Sequence, residues 1–171
     1  AKANELADAN ILDEKDAWVS RHWAPSGEIK PENRVYFTEQ NGRRIDIMRN
    51  FIETLPKKYQ PFILAPLLVE ASIHNNTNGQ FTAFYKDGDK GAYGGSKGND
   101  IRRITTPIHL KTPVQYINDT KIHIDRDDAN EWIGGLPEID VLYLDPPYNK
   151  HPYCIYYFLL DIINDWDKTI E

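Results

Sequence analysis

The chain has 171 residues and a net charge of −6, with 27% charged and 40% hydrophobic residues, which is the composition of an ordinary globular protein. This acidic balance argues against a general polyanion binder, but it is compatible with a local basic patch. Cys154 is the single cysteine, which excludes an internal disulfide and a multi-thiolate metal site. Without a long apolar run or a signal peptide, we expect a cytoplasmic protein with no membrane partner.

The first half of the chain predicts two helices after an irregular start at 1–34. Thr38 is a suitable N-cap for a helix whose apolar residues recur at helical spacing until Pro56 approaches. A second helix is predicted from about Pro61 to His74. Its residues leave almost no polar face, so we expect it to be buried.

A glycine-rich stretch follows at 87–99 and contains five of the ten glycines. We interpret it as a mobile surface loop, because no strand-to-helix setting for a nucleotide phosphate surrounds it. The alternative is a loop that becomes ordered on DNA, since its lysines and glycines permit a close approach to phosphates.

The second half alternates short strands with a helix. Strands are predicted at 104–110 and at 121–124, and a helix begins after Asp127 or Asp128 and ends at Gly134-Gly135. A strand at 140–144 comes next, so the order strand, helix, strand predicts a crossover and a parallel sheet. A strongly apolar helix from Tyr153 to Asn164 is the last predicted element.

The strand at 140–144 stops at a rigid polar corner. Val141 to Leu144 are apolar without alternation, as expected for a strand that is covered on both faces. Pro146 and Pro147 prevent its continuation and fix their own φ angles. The carboxylate of Asp145, the carbonyl of Pro146 and the ring of Tyr148 are therefore held at the carboxyl end of a strand, where open α/β sheets bind ligands.

The sequence Asp145-Pro146-Pro147-Tyr148 resembles the catalytic motif of amino-methyltransferases. Together with Asp128-Ala129 and the helix after the corner, it is similar to the D12 class of adenine-specific DNA methyltransferases of bacterial modification systems. This resemblance implies an α/β fold, with the chain forming part of a Rossmann-like S-adenosylmethionine-dependent sheet behind a helical and irregular N-terminal region. Residues 1–111 would form a helical and loop region with target-recognition elements, and residues 112–171 part of the catalytic domain.

The resemblance also assigns roles to individual residues. Asp145, Pro146, Pro147 and Tyr148 would be catalytic, and Asp128 and Ala129 would bind S-adenosylmethionine, although Asp128 could equally be only a helix N-cap. No metal is expected, because no cluster of His, Asp and Glu has ligand spacing. Candidate contacts to double-stranded DNA are Lys97, Arg102, Arg103 and Asn149. A cognate restriction endonuclease is a further candidate partner.

One family feature is missing. The D12 class binds the methionine end of its cofactor with a Phe-x-Gly-x-Gly strand, and no such motif occurs in this sequence. The family order would place that motif before Ala1 and further strands after Glu171, so the chain is expected to be an internal fragment that could be inactive alone. Alternatives are a methyltransferase for cytosine N4, an RNA base or a protein amide, and a noncatalytic fragment for DNA binding or subunit interaction.

Overall fold

The computed structural model describes residues 2–114, 116, 119–146 and 152–168. It contains two compact units. One, which we call the helical unit, comprises Ala1–Pro113 and His151–Glu171, and the other, which we call the motif segment, is Val114–Lys150. The predicted boundary between residues 1–111 and 112–171 divides the chain by function, whereas these units are defined by contacts within the fold. That boundary therefore stays a prediction. The final helix nevertheless belongs to the helical unit and packs against its other helices.

Three helices open the helical unit: α1 (Lys2–Ala9), α2 (Val19–Trp23) and α3 (Glu39–Glu53). The predicted helix after Thr38 is confirmed, and the Thr38 side chain accepts a hydrogen bond from the amide of Asn41. The start of α2 is capped from a distance, because buried Asp46 on α3 accepts from the amides of Val19 and Ser20 at 2.8 and 2.9 Å. These bonds satisfy amides that a short helix leaves free.

The core of this unit lies where α1, α2 and a fourth helix, α4 (Pro61–Ile73), pack around α3, and it is rich in aromatic rings. Trp18 and Trp23 are both buried and meet edge to face with ring centroids 4.7 Å apart. Fully buried apolar residues come from distant parts of the chain: Val19, Phe37, Ile45, Met48, Ile52, Leu67, Phe81, Ile104, Ile108, Leu159 and Ile163. Burial of this set stabilises the unit, since each such side chain contributes roughly 1.5–3 kcal/mol.

The second predicted helix is confirmed as α4 (Pro61–Ile73), but the expectation that it is buried all round is wrong. Leu67 and Ala71 lie on the face that packs against the core. Phe62 and Val69 lie on the other side and are 54% and 55% exposed. The helix contacts α3 and the last helix on one face, so its apolar composition did not indicate how many neighbours it has.

The glycine-rich stretch contains a hairpin of two short antiparallel strands, β1 (Lys86–Asp87) and β2 (Lys90–Gly91). Gly88 in the turn has φ +59°, a conformation that residues with a side chain rarely adopt. A Cβ at Gly91 would collide with the side chain of Val35, so this glycine permits close packing. The stretch thus contains a hydrogen-bonded hairpin that its composition did not predict, and its mobility stays a prediction.

In the motif segment, the predicted helix is confirmed as α6 (Ala129–Gly134), with Asp128 as N-cap and Gly135 as C-cap. It follows α5 (Ile101–Thr105), a short helix in the helical unit where a strand at 104–110 was predicted. That strand is therefore wrong. The predicted strands at 121–124 and 140–144 are not formed in this structure, because neither run pairs with another described segment.

The predicted parallel sheet is likewise not observed, and the two-stranded hairpin is the only sheet among the described residues. The physical reason is that a strand exists through hydrogen bonds to a neighbouring strand. Val141 and Tyr143 are 84% and 83% exposed, so no described residue covers or pairs with this run. The described residues therefore form a mostly helical structure with one small sheet.

The last predicted helix is confirmed as α7 (Tyr153–Asp165), and it ends where Trp166 adopts φ +55°. Tyr156, Leu159 and Ile163 form its buried face, at helical spacing. Arg49 of α3 holds the end of α7, because its guanidinium donates to the carbonyls of Ile163 and Asn164 at 2.7 and 2.9 Å. No helix in the described residues is long and apolar enough to cross a membrane.

Candidate active site and nucleic-acid interface

The predicted catalytic corner lies in the motif segment. Asp145 and Pro146 are exposed, and the Asp145 carboxylate forms no hydrogen bond or ion pair with another described residue. Pro147, Tyr148 and Asn149 lie outside the described residues. Asp145 therefore presents a solvent-accessible acceptor that no neighbour in the described structure occupies.

Asp128 has the helix N-cap role that its position suggested. Its Oδ1 accepts hydrogen bonds from the amide and the side-chain nitrogen of Asn130, at 2.8 and 3.1 Å. These bonds to the charged form, led by the amide of Asn130, hold the pKa of Asp128 below its ordinary value. The N-cap role is thereby established, and the carboxylate is held as an anion at the start of α6.

The same carboxylate has capacity for a ligand. Its Oδ2 forms no hydrogen bond with another described residue, and the side chain is exposed. The backbone of Ala129 begins the helix directly after it. An ionised oxygen of this kind fits a hydroxyl or amine donor of a nucleoside. The described residues contain no Phe-x-Gly-x-Gly strand for the methionine end of such a cofactor. Among the described residues, no group of three His, Cys, Asp or Glu side chains could hold a metal ion.

The basic residues predicted to contact DNA differ from one another in the structure. Lys97 and Arg102 are exposed, and neither side chain is paired with another described residue. Arg103 is only partly exposed, and its guanidinium is already occupied. It donates to the carbonyls of Asn75 and Thr77 at 2.8 and 2.9 Å.

Two further oxygens complete the surroundings of the Arg103 guanidinium. One is the carbonyl of Ile73 at the end of α4, and the other is Oδ2 of Asp100 at 3.2 Å. The same Asp100 oxygen accepts from the hydroxyl of Tyr85 at 2.8 Å. This bond is the main reason why the pKa of Asp100 is lowered and that of Tyr85 is raised.

Like Arg103, the fully buried Asn76 joins several distant backbone groups through hydrogen bonds. We call these two residues the hubs of this region. The side-chain nitrogen of Asn76 donates to the carbonyls of Val35 and Ala92 at 2.8 and 3.2 Å, and its side-chain oxygen accepts from the amide of Gly94 at 3.0 Å. Its backbone carbonyl accepts from the amide of Tyr85 at 2.9 Å. Asn76 therefore ties the glycine-rich stretch to the core at several points.

Sequence reasoning missed both hubs. Residues 74–79 read only as a polar turn closing α4, and Arg103 read as a free surface cation. One signal was present, since Asn75-Asn76-Thr77 directly follows an apolar helix, and polar residues beside a core are usually buried only when hydrogen-bonded. The three carbonyl partners of Arg103 gave no comparable signal, because they lie 26 to 30 residues away in the chain.

A family model described as D12 class N6 adenine-specific DNA methyltransferase matches residues 5–170. The chain belongs to this family. Among curated proteins, it is 32% identical over 168 residues to the type II methyltransferase M.CviAII of Paramecium bursaria Chlorella virus 1, covering 94% of this chain and 45% of that protein. It is 32% identical over 140 residues to the type II methyltransferase M.NlaIII of Neisseria lactamica, covering 78% of this chain and 38% of that protein.

A third relative is the modification methylase StsI of Streptococcus sanguinis, which is 26% identical over 162 residues, or 91% of this chain and 22% of that protein. The chain thus spans less than half the length of these curated relatives. No solved structure matches it significantly. Membership of the family agrees with the resemblance that the residues around Asp145 suggested.

Proposed function

We propose that this chain is part of a longer enzyme, called the parent enzyme below, which transfers a methyl group from S-adenosylmethionine to N6 of adenine in double-stranded DNA. The observation that carries the proposal is the family match across residues 5–170, which includes Asp145-Pro146-Pro147-Tyr148. The names of the relatives, type II methyltransferases and a modification methylase, further suggest a site-specific enzyme of a restriction-modification system. A cognate restriction endonuclease is then its natural partner.

The chemistry depends on the direction of a nitrogen lone pair. The N6 amine of adenine is a poor nucleophile, because its lone pair is delocalised into the ring. Two acceptors, a carboxylate oxygen of Asp145 and the carbonyl oxygen of Pro146, draw its two N–H groups out of the ring plane. The lone pair is then freed for attack, and the Asp145 anion stabilises the positive charge that develops on nitrogen. The exposure of the Asp145 carboxylate, which is paired with no other described residue, supports this role.

The remaining residues of the corner hold the base. A duplex base must be flipped out of the stack before an enzyme can reach it, and an aromatic ring then offers it a surface. Tyr148 provides this ring, Pro147 restricts its direction, and Asn149 lies beside it in sequence, where it can contact the DNA. After the nitrogen–carbon bond forms and the carbon–sulfur bond breaks, the Asp145 carboxylate helps the surplus N6 proton to leave.

S-adenosylmethionine supplies the electrophilic methyl group when it is bound. Asp128 is the residue of this chain that would hold its nucleoside end, through the Oδ2 atom that the helix cap leaves free, with Ala129 beside it. The low pKa of Asp128 keeps this acceptor charged. The methionine end requires residues outside this sequence.

The parent enzyme would also complete the sheet. We propose that residues 140–144 form a buried strand of a Rossmann-like domain there, since the apolar run Val141 to Leu144 is exposed and unpaired in this chain. Pairing would bury that run and bring Asp145 to the carboxyl end of the strand, where ligands bind in open α/β sheets.

Methyl transfer by the purified parent enzyme tests the proposal. With S-adenosylmethionine carrying a labelled methyl group, we expect incorporation into duplex DNA and none into RNA or protein. Calorimetry should detect cofactor binding, and Asp128→Ala should weaken it without reducing the helical content of the protein. Incorporation into protein alone, or no binding of S-adenosylmethionine, would contradict the proposal.

A further inference from the structure

Two neighbouring arginines of α5, Arg102 and Arg103, have opposite environments. The Arg102 side chain is exposed and unpaired within the described structure. The Arg103 guanidinium lies among four oxygens: the carbonyls of Ile73, Asn75 and Thr77, and Oδ2 of Asp100. Equal charge and adjacent positions therefore do not give the two residues equal access to a phosphate.

The oxygens around Arg103 come from two parts of the chain: the end of α4 with the residues just after it, and the residue directly before α5. Three of them are backbone carbonyls at and just after the end of α4, where carbonyls lack partners within the helix. The fourth belongs to Asp100, directly before α5, and this carboxylate also accepts from Tyr85 at the start of the hairpin. The planar guanidinium can serve several acceptors at once because its five donors point in fixed directions.

This arrangement fixes the basic part of the surface. Tyr85 is further bound through its amide to Asn76 and through its carbonyl to the amide of Ala92. Asn76 holds Gly94, so Lys97 lies on a stretch that is anchored before it by Asn76 and after it by Asp100 and Arg103. His74 adds a bond on the other side, since its Nδ1 lies 2.7 Å from the carbonyl of Arg103.

We propose that Arg103 is a positioning residue for DNA binding and that Lys97 and Arg102 are the cations that contact phosphates. The inference rests on the proposed function, and it changes the role that the sequence suggested for Arg103. The several N–H donors of its guanidinium hydrogen-bond to the end of α4 and to Asp100 at the same time. These bonds hold α5 and the hairpin against the end of α4. Lys97 and Arg102 then reach the same DNA backbone together.

The salt dependence of DNA binding separates the two roles. The parent enzyme is titrated with an arbitrary 20-base-pair duplex at several salt concentrations, because sequence-independent binding reports phosphate contacts. Arg102→Ala should reduce the slope of log K against log salt by about 0.9, the value for one phosphate contact, whereas Arg102→Lys should retain it. Arg103→Lys keeps the charge but loses the planar guanidinium, so it should behave like Arg103→Ala. Both should reduce the slope by up to about 1.8, the equivalent of losing two contacts.

Two controls make the comparison specific. Lys58→Ala removes an exposed cation before the start of α4, at the opposite end of a helix that is roughly 20 Å long, and should leave the slope unchanged. Tyr85→Phe removes only the hydroxyl that reaches Asp100, so it tests the same positioning where an Arg103 variant fails to fold. Its slope should lie between those of the wild type and Arg103→Ala. Thermal unfolding under the binding conditions verifies that each variant is folded.

The outcomes distinguish this inference from the proposed function. If Arg103→Lys retains the wild-type slope while Arg103→Ala loses about 0.9, Arg103 contacts a phosphate itself and the inference is overturned. An unchanged slope and affinity in both Arg103 variants, or in Tyr85→Phe, would reduce these residues to a contribution to stability alone and would also overturn it. If the wild-type enzyme shows no salt-dependent binding of DNA, the proposed function fails first.

Discussion

The helical unit and the motif segment differ in what their polar residues do. In the helical unit, Asn76 and Arg103 are occupied by backbone groups from distant positions, and they hold the structure together. In the motif segment, every described residue except Leu136 is exposed, and Asp145 is unpaired within the described structure. Buried polar groups here serve the fold, whereas an unpaired exposed carboxylate in a family motif is available for chemistry.

The largest expected effect concerns the unpaired carboxylate. In the parent enzyme, Asp145→Ala should lower the single-turnover rate of methylation by ~10²–10³, because one oriented acceptor for the developing charge is lost. S-adenosylmethionine binding should be nearly unchanged, which calorimetry can verify. Retention of more than about a tenth of the rate would remove Asp145 from the chemical step.

The buried hub should behave in the opposite way, with a large effect on stability. Asn76→Ala removes the partners of the Val35 and Ala92 carbonyls and of the Gly94 amide, all near the core. We expect a loss of about 3 kcal/mol in the free energy of unfolding by urea, since unsatisfied buried groups cost roughly 1–3 kcal/mol each. Asn78→Ala, two residues away and exposed, is the matched control and should cost less than about 0.5 kcal/mol. Equal losses of stability in both variants would show that the hydrogen bonds of the Asn76 side chain do not stabilise the fold specifically.

A third effect depends on pH. Burial raises the pKa of Tyr93 to about 12. In the unfolded chain, Tyr93 releases its proton near pH 10. Between pH 10 and 12 the folded chain therefore binds more protons than the unfolded chain, and the free energy of unfolding falls as the pH rises. The contribution of Tyr93 lost between pH 10 and 12 is about 2 kcal/mol.

The variant Tyr93→Phe tests this linkage, because it cannot titrate. Tyr36 and Tyr85 also have raised pKa values, so the difference between the wild type and the variant isolates Tyr93. Urea unfolding at pH 9 and pH 11 should give a smaller decrease for the variant. Parallel decreases in the two proteins would show that Tyr93 releases its proton at an ordinary pH.

A fourth prediction concerns the ring that we propose as a surface for the flipped base. In the parent enzyme, Tyr148→Ala should weaken productive DNA binding by roughly 1–3 kcal/mol, while Tyr148→Phe should be tolerated because it keeps the aromatic face. Fold stability should change little in either variant. If Tyr148→Ala instead costs about 3–5 kcal/mol of stability, the ring is a core residue.

The smallest effect is expected in the exposed apolar run of this chain. Val141→Ala should change the free energy of unfolding of the 171-residue chain by less than about 0.5 kcal/mol, because the side chain is 84% exposed. In the parent enzyme, the same change should cost more, since we propose that a strand is buried there. Equal small effects in both proteins would contradict the proposed strand.

Four helices were located from the sequence, but α1 and α2 were missed because 1–34 was predicted to be irregular, and α5 occurs where a strand was predicted. The sheet was predicted poorly, for a physical reason. Caps and helical periodicity act within a few residues, so α3, α4, α6 and α7 were located from local patterns. A strand depends on a neighbour, and the apolar run Val141 to Leu144 has none among the described residues. An apolar pattern indicates that a segment can be buried, but it does not indicate which other segment covers it.

The candidate site shows the same limit. Asp145 was identified because a rare local motif carries it, and Asp128 because a helix start requires a cap. Most partners of Arg103 and Asn76 could not be read from local sequence, since tertiary packing brings backbone carbonyls to their side chains from 16 to 41 residues away. Residues that hold a surface through distant partners are therefore harder to predict than a helix cap or a residue in a local motif.

The identity of the methylated nucleoside tests the central claim most directly. Duplex DNA treated with the parent enzyme and S-adenosylmethionine is digested to nucleosides and analysed by mass spectrometry, with Asp145→Ala treated in parallel. The account predicts N6-methyl-2′-deoxyadenosine from the wild type and at most a trace from the variant. N4-methyl-2′-deoxycytidine as the product, or no methylated nucleoside from the wild type, would contradict it.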